Sequence, residues 1–331
     1  MVKAEEACVD GEAWEPGEPA FEDVSDEWGL DEIGANGQRL SVTDLDGDGW
    51  PDLSVRRAGT TSGDDFSSDS REDRVSWLLK NDGGEGFEDV TQESGLVQSR
   101  SGGEDEGRPV DTIIWADVDN DGDLDAYTSF NRQNSTDDEE ADTAEVMLND
   151  GDGNFEFADD DTIRRLGEPD SPGGASFTDV DRDGNVDLWV TQYADANGPL
   201  QDRLYLGDGE GGFEEATEEA GLQTEPWENL DDLNEARAHS VSWGANACDL
   251  NDDGTPELLA ASYGRAPNHL WLGELDDDGN LSYENHSIDS GYAFDDRTDW
   301  TDNESARCYC KHNPDAEDCD GVPEPEHIAC E

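Results

Sequence analysis

The chain has 331 residues and a formal charge of −69, from 19 basic and 88 acidic side chains. A polyanion of this kind repels phosphate backbones and anionic membrane surfaces, which argues against nucleic-acid and lipid-surface partners. Apolar residues are only 32% of the sequence, so large aromatics and bound ions are expected to supply much of what holds the fold.

The opening MVKAEEACVD lacks the apolar segment of a secretion signal, and reads as a mature chain behind an added methionine. No run of about 20 apolar residues is present that would insert into a membrane. Residues 1–20 read as an N-terminal extension, 21–292 as a repeat region and 293–331 as a Cys-rich tail. In chain order, FEDVSDEWGL (Phe21 to Leu30) is the tail of a unit that recurs more fully later. DLDGDGWPD (Asp44 to Asp52) runs into LSV at 53–55, and WLLKNDGGEGFEDVTQESGL spans Trp77 to Leu96. DVDNDGDLD (Asp117 to Asp125) leads into AYTSF at 126–130, followed by VMLNDGDGNFEF from Val146 to Phe157. DVDRDGNVD (Asp179 to Asp187) leads into LWVTQY at 188–193, followed by LYLGDGEGGFEEATEEAGL from Leu204 to Leu222. PWENLDDLNEAR (226–237) suits a short surface helix. DLNDDGTPE (Asp249 to Glu257) leads into LLAASY at 258–263, and a degenerate unit runs from Leu270 to Tyr292.

The segments after each acidic loop are rich in β-branched and aromatic residues, and the NDG, GDG and DDG turns supply the positive φ that tight hairpins need. The loops begin at 44, 117, 179 and 249, so one repeat of 62 to 73 residues carries about four short strands. The fold class is therefore all-β and repetitive. Tryptophans 77, 115, 189, 243 and 271 fall at strand positions and are read as packing residues rather than a sugar platform.

Each acidic loop places oxygen side chains at positions 1, 3, 5 and 9 with glycine at position 6, as a hard cation such as Ca²⁺ requires. The predicted ligand sets, counting position 7, are Asp44, Asp46, Asp48, Trp50 and Asp52; Asp117, Asp119, Asp121, Asp123 and Asp125; Asp179, Asp181, Asp183, Asn185 and Asp187; and Asp249, Asn251, Asp253, Thr255 and Glu257. The EF-hand loop opens similarly but ends on a bidentate Glu at position 12 between helices. Here position 12 is Val55, Thr128, Val190 and Ala260, and strands follow. Positions 2 and 8 are apolar or proline throughout (Leu45 and Pro51, Val118 and Leu124, Val180 and Val186, Leu250 and Pro256), which points them into a core while their neighbours face the ion.

These loops and the strand–NDGxGxF–xDVxxxxGL units at 77–96 and 204–222 resemble the FG-GAP/VCBS repeat family, which includes the integrin α-subunit propeller and secreted proteins similar to cartilage acidic protein. The resemblance spans roughly Phe21 to Tyr292. It implies a β-propeller of four-stranded blades, of about five blades or a truncated seven-bladed ring, with about four Ca²⁺ ions held in blade hairpins.

Six cysteines (Cys8, Cys248, Cys308, Cys310, Cys319, Cys330) read as disulfides in an extracellular setting, with a zinc site using His312 or His327 as the competing reading. One option is that Cys8 ties to a C-terminal cysteine. No HExxH motif or nucleophile elbow is present, and His239 beside Ser240 reads as a loop pair. The regularly spaced carboxylates are accounted for as metal ligands. The expected function is a non-enzymatic, secreted calcium-binding scaffold for adhesion or recognition. Its insertions at 57–74, 97–111, 131–145 and 223–240 would meet a protein or glycan partner. The alternatives are a calcium-dependent self-associating matrix or filament protein and, behind it, a polysaccharide-active enzyme.

Overall fold

The computed structural model describes residues 23–57, 62–68, 70, 73–132, 134–195, 198–226, 228–263, 266–276, 278–294 and 303–326. Among the described residues, sixteen strands form four antiparallel sheets, each a simple meander of four consecutive strands. Sheet A comprises β1 (Arg39–Thr43), β2 (Asp52–Arg56), β3 (Ser76–Asn81) and β4 (Phe87–Asp89). Sheet B comprises β5 (Thr112–Ala116), β6 (Asp125–Ser129), β7 (Glu145–Asn149) and β8 (Phe155–Phe157). Sheet C comprises β9 (Pro172–Thr178), β10 (Asp187–Gln192), β11 (Arg203–Gly207) and β12 (Phe213–Glu215). Sheet D comprises β13 (Ser242–Cys248), β14 (Glu257–Ser262), β15 (His269–Leu275) and β16 (Leu281–Asn285). The chain divides into two compact units, one holding sheets A and B and the other sheets C and D. Among the described residues no helix is long and apolar enough to cross a membrane.

Each acidic loop joins the first and second strands of its sheet, and its ninth residue is the first residue of the second strand. Two of the second strands are buried on both faces: all five residues of β6 and all six of β10 are buried, whereas β2 alternates buried with half-buried residues and β14 is exposed at Ala261. A strand buried on both faces reads as a near-continuous apolar run, as LWV does in β10, and one buried on a single face alternates, as in β2. In the first unit Leu45, Leu78, Leu96, Ala126, Met147 and Phe155 form the core. In the second, Val180, Trp189, Leu204, Leu222, Leu258 and Trp271 do so. Burying a large side chain of this kind stabilises by about 1.5–3 kcal/mol, which is how a chain with few apolar residues folds.

Two packing expectations require correction. Trp243 is 44% exposed. The register of β13 shifts between Ser242 and Gly244, which takes Trp243 out of the alternation, and its ring stacks on Tyr263 at 5.1 Å instead. Leu250, the position-2 residue of the fourth loop, is 55% exposed, whereas Leu45 and Val180 are buried by the sheet that follows each in the chain. No four-stranded sheet follows sheet D among the described residues. Position 8 is mixed, with Pro51 exposed, Leu124 and Val186 half-buried and Pro256 buried.

The helix expected within 226–237 is confined to Leu230–Asn234 and is not a surface feature. Asn229 caps it by accepting the Asp232 N–H, as a capping box does. Leu230 and Leu233 pack against Ala306 and Cys310 of a second helix, Glu304–His312, for which the sequence shows no strong signal. Cys310 is bonded to Cys319, and Cys308 is also disulfide-bonded. Cys248 is a free thiol, so the reading of all six cysteines as disulfides fails at that position. Cys8, Cys330 and His327 lie outside the described residues.

The insertions are less like free loops than their composition suggests. Asp64, Arg108, Asp111 and Thr143 are all buried. The first two insertions are tied together by an Asp65–Glu106 bridge and by the Phe66 N–H donating to the Asp105 carbonyl at 2.8 Å.

Candidate metal centres

All four acidic loops adopt one backbone design. Position 6 is a glycine with φ between 91° and 102° in Gly49, Gly122, Gly184 and Gly254. An L side chain there is strained. Position 4 is also left-handed, in Gly47 (67°), Asn120 (60°), Arg182 (63°) and Asp252 (62°). The glycine pattern did not mark position 4; the signal available was that Gly, Asn and Asp tolerate this region.

Successive N–H groups then bind the acidic side chains from inside the loop. The Gly49, Gly122, Gly184 and Gly254 N–H groups donate to the position-1 carboxylates at 3.0, 3.1, 3.2 and 2.8 Å. The position-7 N–H groups of Trp50, Asp123, Asn185 and Thr255 donate to the position-5 carboxylates of Asp48, Asp121, Asp183 and Asp253 at 2.7 to 3.0 Å. Arg182 also reaches across to the fourth loop, donating to the Gly254 and Asp253 carbonyls and to Thr255 Oγ1.

The position-9 carboxylate is the buried anchor of each loop. Asp52, Asp125, Asp187 and Glu257 are 3%, 0%, 1% and 1% exposed. Asp52 accepts the Leu45 N–H at 2.9 Å and, from the third strand, the Asn81 N–H at 2.8 Å. Asp187 accepts Val180 and Gly207 in the same way at 2.7 and 2.9 Å, and Asp125 accepts Asn149 at 2.8 Å. Burial pushes Asp187 up to about 7 against those two N–H donors, with Asp181 and Asp183 adding repulsion. Burial likewise raises Asp52 and Asp181.

Three of the loops bring carboxylate oxygens within 4.8 Å of one another: Asp44, Asp46 and Asp48; Asp117, Asp119 and Asp125; Asp179, Asp181 and Asp187. Each of these groups could hold a metal ion. The fourth loop forms no such group among the described residues. Asn251 stands at position 3, where its amide donates to Glu257 Oε1 at 3.0 Å and its oxygen accepts the Asp253 N–H at 2.8 Å. Two buried oxygens, Asp44 Oδ1 and Asp179 Oδ1, have no hydrogen-bond partner. Crowded, partly buried carboxylates with orphaned oxygens are costly unless a cation compensates them, and an all-oxygen donor set suits a hard divalent ion. The donor chemistry therefore fits.

No family model matches the chain, and no curated protein matches it.

Outside the loops, His239 bonds Thr224 Oγ1 at 2.5 Å while the Ser240 hydroxyl donates to the Pro267 carbonyl at 2.7 Å. Asp202 is a buried carboxylate with a different role. It accepts the Gln192 N–H at 2.7 Å and the Ser242 hydroxyl at 3.4 Å, and burial lifts it to about 7. Its folded value exceeds the unfolded 3.8, so the native state holds an extra proton between these limits. The associated stability is complete below the unfolded value and is lost as pH rises through about 7. Asp202→Asn, which keeps the shape and an acceptor, is expected to remove a pH-dependent loss on the order of 3 kcal/mol. Urea midpoints measured from pH 4 to 8 will show a flatter profile in the variant.

Proposed function

We propose that the chain is a calcium-bound, non-enzymatic extracellular scaffold, whose sheets are blades of a propeller of the FG-GAP/VCBS type. The observation that carries this reading is the recurrence of one loop geometry at the same place in every sheet. Three of the copies converge three carboxylates, and orphaned oxygens remain in two of those. Calcium would be held by Asp44, Asp46 and Asp48, by Asp117, Asp119 and Asp125, and by Asp179, Asp181 and Asp187. It would pin the first hairpin of each blade and neutralise charge that otherwise repels. The fourth loop, with Asn251 turned onto Glu257, is a weaker ligand set.

The partner reading is supported by a depression of 670 Å³ between the first two insertions, bordered by Asp65, Ser67, Ser99, Glu104 and Asp142. Its carboxylates and hydroxyls suit a basic protein segment or a polyhydroxylated glycan.

Equilibrium dialysis of the full chain against Ca²⁺ tests the metal assignment. At least three ions are expected to bind, with about one lost for each of Asp117→Asn and Asp179→Asn. A chain that binds no calcium at millimolar free ion would sink the reading.

A further inference from the structure

The four loops differ at one position that lies outside all of them. The residue after each position-9 carboxylate pairs across the sheet with Leu79, Met147, Tyr205 and Trp271 of the third strand. The next residue on that strand is Leu148 in sheet B, Leu206 in sheet C and Leu272 in sheet D. In sheet A it is Lys80, one of only three lysines in the chain.

Its ammonium forms an ion pair with Asp46, the position-3 carboxylate of the first loop, whose side chain is 8% exposed. The carboxylate group of this loop also differs from those of its siblings. In the second and third loops positions 1, 3 and 9 converge, whereas in the first loop positions 1, 3 and 5 do so. A fixed positive charge already occupies a carboxylate that an ion entering this loop would need.

Resting on the calcium reading above, we propose that Lys80 is a built-in counter-ion that weakens the first loop for Ca²⁺ relative to the second and third. It makes this loop the last of the three to fill and holds Asp46 in place while the loop is empty. Metal entry requires the ammonium to withdraw, and there is room for it. A cavity of 290 Å³ beside the loop is lined by Asp46, Asp52, Lys80, Glu88 and Glu93. Glu88 is the cross-strand partner of Lys80 and offers the displaced ammonium a second carboxylate.

The test is a calorimetric Ca²⁺ titration of the full chain and of Lys80→Leu, the residue the sibling strands carry. Lys80→Leu is expected to tighten the weakest of the three carboxylate sites about tenfold, because removing a like charge a few ångströms from a divalent ion is favourable. Lys80→Arg keeps that site weak, and the gain disappears when Asp44→Asn and Asp48→Asn are added. A lysine with a purely structural role predicts the opposite sign, since losing it would loosen the loop and weaken binding. Unchanged or weaker binding in Lys80→Leu, with the other sites filling normally, overturns the proposal. A wild-type chain that takes up no calcium anywhere overturns both this inference and the reading it rests on. The two failures are told apart by whether the second and third loops bind.

Discussion

EDTA is expected to lower the melting temperature of this chain by upward of about 10 °C, with added Ca²⁺ restoring it and Mg²⁺ at the same concentration failing to do so. Each ion present at a hundred times its dissociation constant stabilises by about 2.7 kcal/mol, and a domain of this size shifts by about 2 °C per kcal/mol, so three ions suffice for the effect. The structure adds a reason for the size. Without metal, three loops each hold three carboxylates whose oxygens lie within 4.8 Å of one another, inside a chain that already carries −69. The preference expected for calcium over Mg²⁺ rests on the need of Mg²⁺ for near-ideal octahedral geometry and retained waters. Protons compete for the same oxygens, so the difference made by EDTA shrinks as the solution is acidified. The measurement is differential scanning calorimetry with and without chelator, and a melting curve indifferent to EDTA would remove calcium from any structural role.

The second large effect is expected from a single added methyl group. A Cβ built on Gly173 would lie 2.0 Å from the Ser242 carbonyl oxygen and 3.0 Å from Trp243 Cα, and one on Gly174 would lie 2.7 Å from the Ala245 nitrogen. Strands β9 and β13 thus approach backbone to backbone, and the second unit depends on the absence of side chains along that seam. Because the obstacle is main chain on both sides, no rotamer change can make room. Gly173→Ala is expected to destabilise by about 3 kcal/mol or more, at the upper end of overpacking costs. Gly244→Ala is the control, since its Cβ would meet only the Ala261 methyl at an ordinary 3.5 Å. That variant should stay within about 1 kcal/mol of wild type. Denaturant midpoints of the two variants decide the matter, and equal midpoints would show that the seam can open without penalty.

The parts of this fold that are short in sequence were the parts that could be read. Nine residues contain the whole loop design, so the alternation of acid, glycine and apolar residues placed each loop between two strands. The following β-branched runs located β2, β6, β10 and β14 to within a residue. What the sequence did not disclose lies across the sheet. The second partner of Asp52 is the Asn81 N–H and that of Asp187 is the Gly207 N–H. Those contacts exist only once a third strand is in register, and local spacing carries no mark of it. The same holds for Lys80 at the first loop and for the buried guanidinium of Arg108, which donates to the Leu96 carbonyl and Thr128 Oγ1. Leu250 and Trp243 are exposed for a related reason. An apolar residue at a repeated position is buried only if a neighbouring layer arrives to cover it, and the bulge in β13 is a backbone event that side-chain identity does not announce.

Cys248 ends β13 and immediately precedes Asp249, the first acid of the fourth loop, and it is the free thiol among the described residues. This half-buried residue thus borders the loop whose amide–carboxylate pairing sets it apart from its three siblings. A maleimide dye attached there would be a fluorescent reporter native to the chain. Its labelling rate, followed as the ion concentration is stepped, would report whether access to that corner changes, without any engineered cysteine.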